Sequence, residues 1–99
     1  MPTKYLHTMI RVTDPDATVA FFKLIGLEEV RRFDSEAGRF TLIFLAAPGQ
    51  DGVAEVELTH NWPPADGSAG EDYTGGRNFG HLAYRVENIY ETCAALAEA

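Results

Sequence analysis

Two histidines in this chain sit in matching surroundings, His7 in LHTMIRV and His81 in GHLAYRV. Each lies in a stretch where apolar and polar residues alternate, which predicts a strand with every second side chain on the same face. Glu57, in VAEVELTHN, is expected on another strand, sharing a face with Glu55, Thr59 and Asn61. Two neutral imidazoles with hard carboxylate oxygens suit a divalent first-row metal ion, and positions left open for substrate would make such a site catalytic. Taken singly, a strand histidine is more often a hydrogen-bonded structural residue, and a strand glutamate usually faces water. His60 adjoins these residues in sequence but falls on the face opposite Glu57, so it is left out of the site.

The elements that must position these groups follow from the pattern. Residues 4 to 12 predict a strand with Tyr5, His7, Met9 and Arg11 on one face and Leu6, Thr8, Ile10 and Val12 on the other. Asp14 followed by Pro15 is a helix start, because Asp caps free N–H groups and Pro at the first position loses no bond. Val19, Phe22 and Leu24 suggest the apolar stripe, and Gly26 ends the helix. Strands are expected over 27 to 33, 39 to 47 and 53 to 61, separated by the turn clusters DSEAG and PGQDG. A loop rich in Pro, Gly, Asp and Ser follows from Trp62 to Asn78. FGHLAYRV then predicts a strand, and NIYETCAALAEA a helix capped by Asn88, with Glu91 three residues on.

An offset of 74 residues superposes His7, Arg11, Val12, Thr18 and Ala20 on His81, Arg85, Val86, Thr92 and Ala94. Both copies carry the same strand, break and helix, which indicates an internal duplication. The repeat raises the two histidines above the ordinary expectation, since equivalent strands of a pseudo-symmetric pair can aim both imidazoles at one ion. It also places the counterpart of Glu57 beyond Ala99. A complete second unit would need roughly thirty to forty further residues by the repeat length.

The bulk properties narrow the functional classes. At 99 residues, 45% hydrophobic and 23% charged, the composition is that of an ordinary globular domain. So short a chain is marginal without a metal or partner, so oligomerisation is expected. A net charge of -7 argues against nucleic acid or an anionic membrane as partner. A single cysteine, Cys93, allows no internal disulfide, and no apolar run approaches a secretory or membrane-spanning length. A cytoplasmic enzyme or binding protein is expected.

The segments LHTMIRV, VELTHNW and GGRNFGHLAYRV resemble the signature segments of glyoxalase I, in the vicinal oxygen chelate superfamily. The resemblance spans essentially the whole chain. It implies an α+β vicinal oxygen chelate fold of paired β-α-β-β-β modules with a mixed, mostly antiparallel sheet. Residues 1–61 would be the first module, 62–78 a linker loop, and 79–99 the β-α start of an incomplete second module. By the same resemblance His7, Glu57 and His81 are metal ligands, with the fourth, a glutamate on the last strand, absent. Family members share each site across a homodimer, which implies His7 and Glu57 from one protomer and His81 from the other. Arg11 and Asn61 match positions that hold the γ-glutamyl end of glutathione, and Arg77 matches an arginine present in only some members. The planar fork of Arg11, on the His7 face, suits a carboxylate. A surface ion pair with one of the 15 acids is its rival reading.

The activity implied is that of lactoylglutathione lyase. Methylglyoxal and glutathione form a hemithioacetal, and the metal stabilises the ene-diolate through which a carboxylate moves a proton from C1 to C2. The missing glutamate would be the principal base, with Glu57 its symmetric counterpart and a possible second base. Nickel is the first expectation for the metal and zinc the alternative, the segment between the Asn-Trp and Gly-His motifs being of intermediate length. An extradiol dioxygenase and a non-catalytic drug-binding resistance protein of the same fold are the competing readings. The 99-residue form is expected to bind metal poorly and to be nearly inactive beside a longer parent; equal isomerase turnover by the two forms would refute this.

Overall fold

The computed structural model describes residues 4 to 73, 81, 82 and 84 to 99. Strand β1 (His7–Arg11) leads to helix α1 (Pro15–Leu24), then to β2 (Glu28–Ser35), β3 (Phe40–Ala46) and β4 (Glu55–Asn61). A second helix, α2, spans Ile89–Glu98. The four strands form one sheet in the order β1-β4-β3-β2, with β1 parallel to β4 and the other pairs antiparallel. The helical crossover between β1 and the later strands permits that parallel pairing.

Local chemistry accounts for the helix boundaries. The Asp14 side chain accepts a hydrogen bond from the Ala17 N–H at 3.0 Å, and Pro15 occupies the first turn where no donor is missed. The helix stops because Gly26 takes φ +100°, a left-handed conformation that glycine adopts without strain. Asn88 caps α2 by accepting from the backbone N–H groups of Tyr90 and Glu91. No residue of α2 is buried: Ile89 and Cys93 of its apolar stripe are exposed and Leu96 is half-buried.

One face of the sheet carries the core. Ile43 and Leu45 of β3 and Val56 and Leu58 of β4 pack with Val19 and Phe22 of α1 and with Leu27. Leu24, expected in the apolar stripe, is instead 54% exposed. Two residues beyond Phe22 is about 200° around the helix, which turns Leu24 away from the sheet. Leu82 packs against the core from the far end of the chain.

The strand expected over FGHLAYRV differs most. Residues 79, 80 and 83 lie outside the described ones, and 81, 82 and 84 to 86 are not in a strand. A strand exists only within a ladder, and no described segment supplies one here. Among the described residues no helix is long and apolar enough to cross a membrane.

Leu58, fully buried at the centre of this layer, should be the costliest single truncation. Leu58→Ala is expected to lower unfolding free energy by about 3 kcal/mol. Leu24→Ala should cost well under about 1 kcal/mol. Urea denaturation midpoints of the two variants check the contrast.

Candidate functional site

The face of the sheet opposite α1 is built from alternate residues of all four strands. Register places His7 beside Glu55 in the β1–β4 ladder, Glu57 beside Phe44 in the β4–β3 ladder, and Phe44 beside Arg31 in the β3–β2 ladder. His7, Glu55, Glu57, Phe44 and Arg31 are thereby brought together, although up to 50 residues separate His7 from Glu57 in the chain.

His7 Nε2 lies 2.8 Å from Glu57 Oε1, with side-chain exposures of 36% and 13%. The second Glu57 oxygen accepts from Thr59 Oγ1 at 3.3 Å. An imidazole nitrogen and a carboxylate oxygen in contact on an accessible face form one half of a donor set of the kind divalent first-row ions take. Among the described residues no third His, Cys, Asp or Glu joins them in a group that could hold a metal. His81 is exposed and outside any strand.

Glu55 points to the same face as Glu57 and is held differently. It is 3% exposed. Arg31 donates to it from both ends of the guanidinium, at 3.0 and 2.6 Å, and the Gly52 N–H donates at 2.5 Å. The Arg31 bond holds the Glu55 carboxyl below its ordinary range, against burial, which pushes it up; the Gly52 N–H and the charges of Arg31 and His7 add to the lowering. The Arg31 guanidinium also lies 4.0 Å above the Phe44 ring centroid, and the same ring meets the His7 imidazole edge-on at 5.7 Å.

Asn61 ends β4 on this face. Its Oδ1 is buried and has no hydrogen-bond partner among the described residues. A desolvated acceptor without a donor is costly unless a ligand or water supplies one. The strand end is fixed by its neighbours. Trp62 donates its indole N–H to Thr41 Oγ1 at 2.8 Å, and Thr41 donates to Asp34 at 2.7 Å. Arg39, in the left-handed region at φ 56°, lies over the Trp62 ring and donates to the Pro63 carbonyl at 2.8 Å.

Arg11 is exposed at the far end of β1 and lines a groove of about 430 Å³ with Thr13, Phe21 and Tyr73. Arg77 lies outside the described residues. His60 faces the helix side, its Nδ1 3.1 Å from the Val12 carbonyl oxygen. Glu55 and Arg31 are the residues that sequence reasoning missed. Their signal was the Glu-x-Glu alternation of β4 together with an arginine-rich neighbouring strand, but pairing partners are not visible without register.

An open sheet face carrying an imidazole, a carboxylate and an orphaned amide oxygen, above a β-α-β-β-β order, defines a class. Residues 6–99 match the family model for the Glyoxalase/Bleomycin resistance protein/Dioxygenase superfamily, and the chain belongs to that superfamily. Within it the chain is similar to lactoylglutathione lyases. It is 42% identical to the probable lactoylglutathione lyase of Synechocystis over 89% of its own length, and 36% identical to the lactoylglutathione lyase of Haemophilus influenzae over 92%. It spans 63% and 64% of those relatives. A solved structure of the trypanothione-dependent glyoxalase I of Leishmania major superposes with a TM-score of 0.78 at 30% identity, covering 98% of this chain and 66% of that one. The α+β vicinal oxygen chelate fold is the fold of this protein.

The Arg31–Glu55 pair, buried at the carboxylate and 54% exposed at the arginine, makes a signed prediction. Arg31→Met leaves the Glu55 carboxylate without its main partner and should cost about 1–2 kcal/mol, solvent at the arginine side screening part of the loss. Arg31→Met with Glu55→Met should lie within about 1 kcal/mol of the parent. Because the folded Glu55 titrates below its unfolded value, its contribution is present above about pH 4.3 and lost as pH falls. The double variant should therefore lose less stability than the parent between about pH 5 and pH 3. Denaturation midpoints across that range check both signs.

Proposed function

We propose that this chain carries half of the active site of a lactoylglutathione lyase, converting the methylglyoxal–glutathione hemithioacetal to S-lactoylglutathione. The observation that carries this reading is the His7–Glu57 pair, an imidazole nitrogen and a carboxylate oxygen 2.8 Å apart on the open face. His7 and Glu57 would hold a nickel or zinc ion together with His81 of a second protomer. When bound, that ion supplies Lewis-acid stabilisation of the negative charge that develops on the substrate's adjacent oxygens.

The remaining work falls to side chains. Glu57, its second oxygen accepting from Thr59, would hold or move the proton exchanged between C1 and C2. Arg11 offers a fork for a carboxylate, and the orphaned Asn61 Oδ1 an acceptor for an ammonium or amide N–H. Arg77 is proposed as a third contact to the glutathione moiety. Four residues along a strand separate His7 from Arg11, and likewise Glu57 from Asn61, about 13 Å in each case, which leaves the reacting pair and the two glutathione contacts at opposite ends of one face. The half-site supports a homodimer, and the acidic chain with one free cysteine supports a cytoplasmic setting.

Ultraviolet detection of thioester formation from methylglyoxal and glutathione tests the proposal. Glu57→Gln should lower turnover at least about 100-fold. His7→Ala should reduce bound nickel or zinc, read by elemental analysis, with turnover falling in parallel. Unchanged metal content and turnover in both variants would overturn the assignment.

A further inference from the structure

Five side chains from four strands form one continuous packed chain across the open face. Glu55 of β4 grips Arg31 of β2 through two hydrogen bonds. Arg31 spans β3 to make that grip, and its guanidinium covers the Phe44 ring at 4.0 Å. Phe44 meets the His7 ring at an interplanar angle of 78°, and His7 meets Glu57. The two ends of the chain are therefore Glu-x-Glu neighbours on one strand. The inner acid is locked, and the outer one faces the imidazole.

His7 needs such support because of where it stands. Strand β1 is the edge of the sheet, and the His7 side chain is 36% exposed. On that edge an imidazole keeps one rotamer only if its flanks are packed. Glu57 holds the nitrogen side. Phe44 packs edge-on against the imidazole, and Phe44 is itself covered by a guanidinium whose two terminal nitrogens are bonded to a buried carboxylate.

We propose that the Arg31–Glu55 pair is a positioning device for His7, acting through the Phe44 ring. Its consequence for metal affinity rests on the reading of His7 as a ligand. The positioning itself does not. Outer groups that orient a ligating histidine typically account for about 10–100-fold in affinity. The clamp belongs to that kind of support, exerted by stacking instead of a direct hydrogen bond.

The test separates the two parts. In purified protein without added metal, nuclear Overhauser contacts between the His7 and Phe44 ring protons report the geometry directly. Arg31→Met with Glu55→Met removes the clamp without leaving a buried charge unpaired. Arg31→Lys keeps the charge but loses the planar fork, and decides the matter should the double variant not fold. The expected result is loss of at least half of the His7–Phe44 contact intensity, with the His7 ring shifts moving toward solvent-exposed values. Titration with nickel ion alone should give about tenfold weaker binding in the same variants. Unchanged contacts and shifts would overturn the proposal. If His7→Ala binds nickel as tightly as the parent protein while the ring contacts are lost in the clamp variants, positioning stands and the metal-ligand reading falls.

Discussion

The pairing of β1 with β4 is the constraint on which the site depends. Among the described residues it is the sheet's one parallel ladder, and it carries His7 to a position beside Glu55 and one step from Glu57. A slip of a single residue would turn His7 to the core and Thr8 or Leu6 to the open face. Two features oppose the slip. Ile10 and Val12 pack against the core cluster on the helix side. The backbone bonds from the Glu55 N–H to the Leu6 carbonyl and from the Val12 N–H to the Thr59 carbonyl close the ladder at both ends. The apolar face of β1 thus sets where its polar face stands, and the placement of His7 beside Glu57 is specified by residues on the opposite face.

The sheet's two faces divide the labour between folding and chemistry. The α1 side holds Ile43, Leu45, Val56 and Leu58, all 3% exposed or less. The other side holds charge, amide and aromatic groups, and there Phe40, Leu42 and Phe44 of β3 remain only half covered. Alternation puts the adjacent Arg31 and Arg32 on opposite faces, and a β-bulge between Glu29 and Arg31 decides which arginine takes which face. Glu29 stands opposite Leu45 and Arg32 opposite Ile43, on the core side, where they form an ion pair at 2.8 Å. Arg31 stands opposite Phe44, on the open side. The inserted Val30 breaks the strict two-residue alternation, so that Arg31 and not Arg32 stands over the site.

That bulge also marks the limit of what could be read from residues alone. Strand and helix existence followed from alternation and caps: Asp14-Pro15, Gly26 and Asn88 stand where their chemistry requires. The period of a strand fixed which neighbours share a face with His7 and which with Glu57, while the repeat and the family resemblance brought the two faces together. The roles of Glu55 and Arg31 could not, since a bulge leaves no reliable mark in VRRF, and Glu55 and Glu57 are identical in type, face and strand. Leu24 failed as a core residue for a related reason, because the apolar stripe of a short helix is judged by angles that two candidate residues can share only approximately. The strand at His81 depended on a partner ladder, which is a property of the neighbours and not of FGHLAYRV.

Two carboxylates two residues apart on one strand face would ordinarily compete for any cation nearby. Here their surroundings separate them. Glu55 is desolvated, bonded by Arg31 and Gly52, and held ionised, so its charge is already matched by a fixed cation and both of its oxygens are occupied. Glu57 keeps one oxygen against His7 and the other in a long contact with Thr59, neither of which is a permanent charge. A divalent ion arriving at this face would therefore meet one carboxylate free to bind and one already satisfied. Neutralising Glu55 costs the chain an arginine on an edge strand, and that same arginine, stacked on Phe44, helps to hold the imidazole beside the carboxylate that remains available.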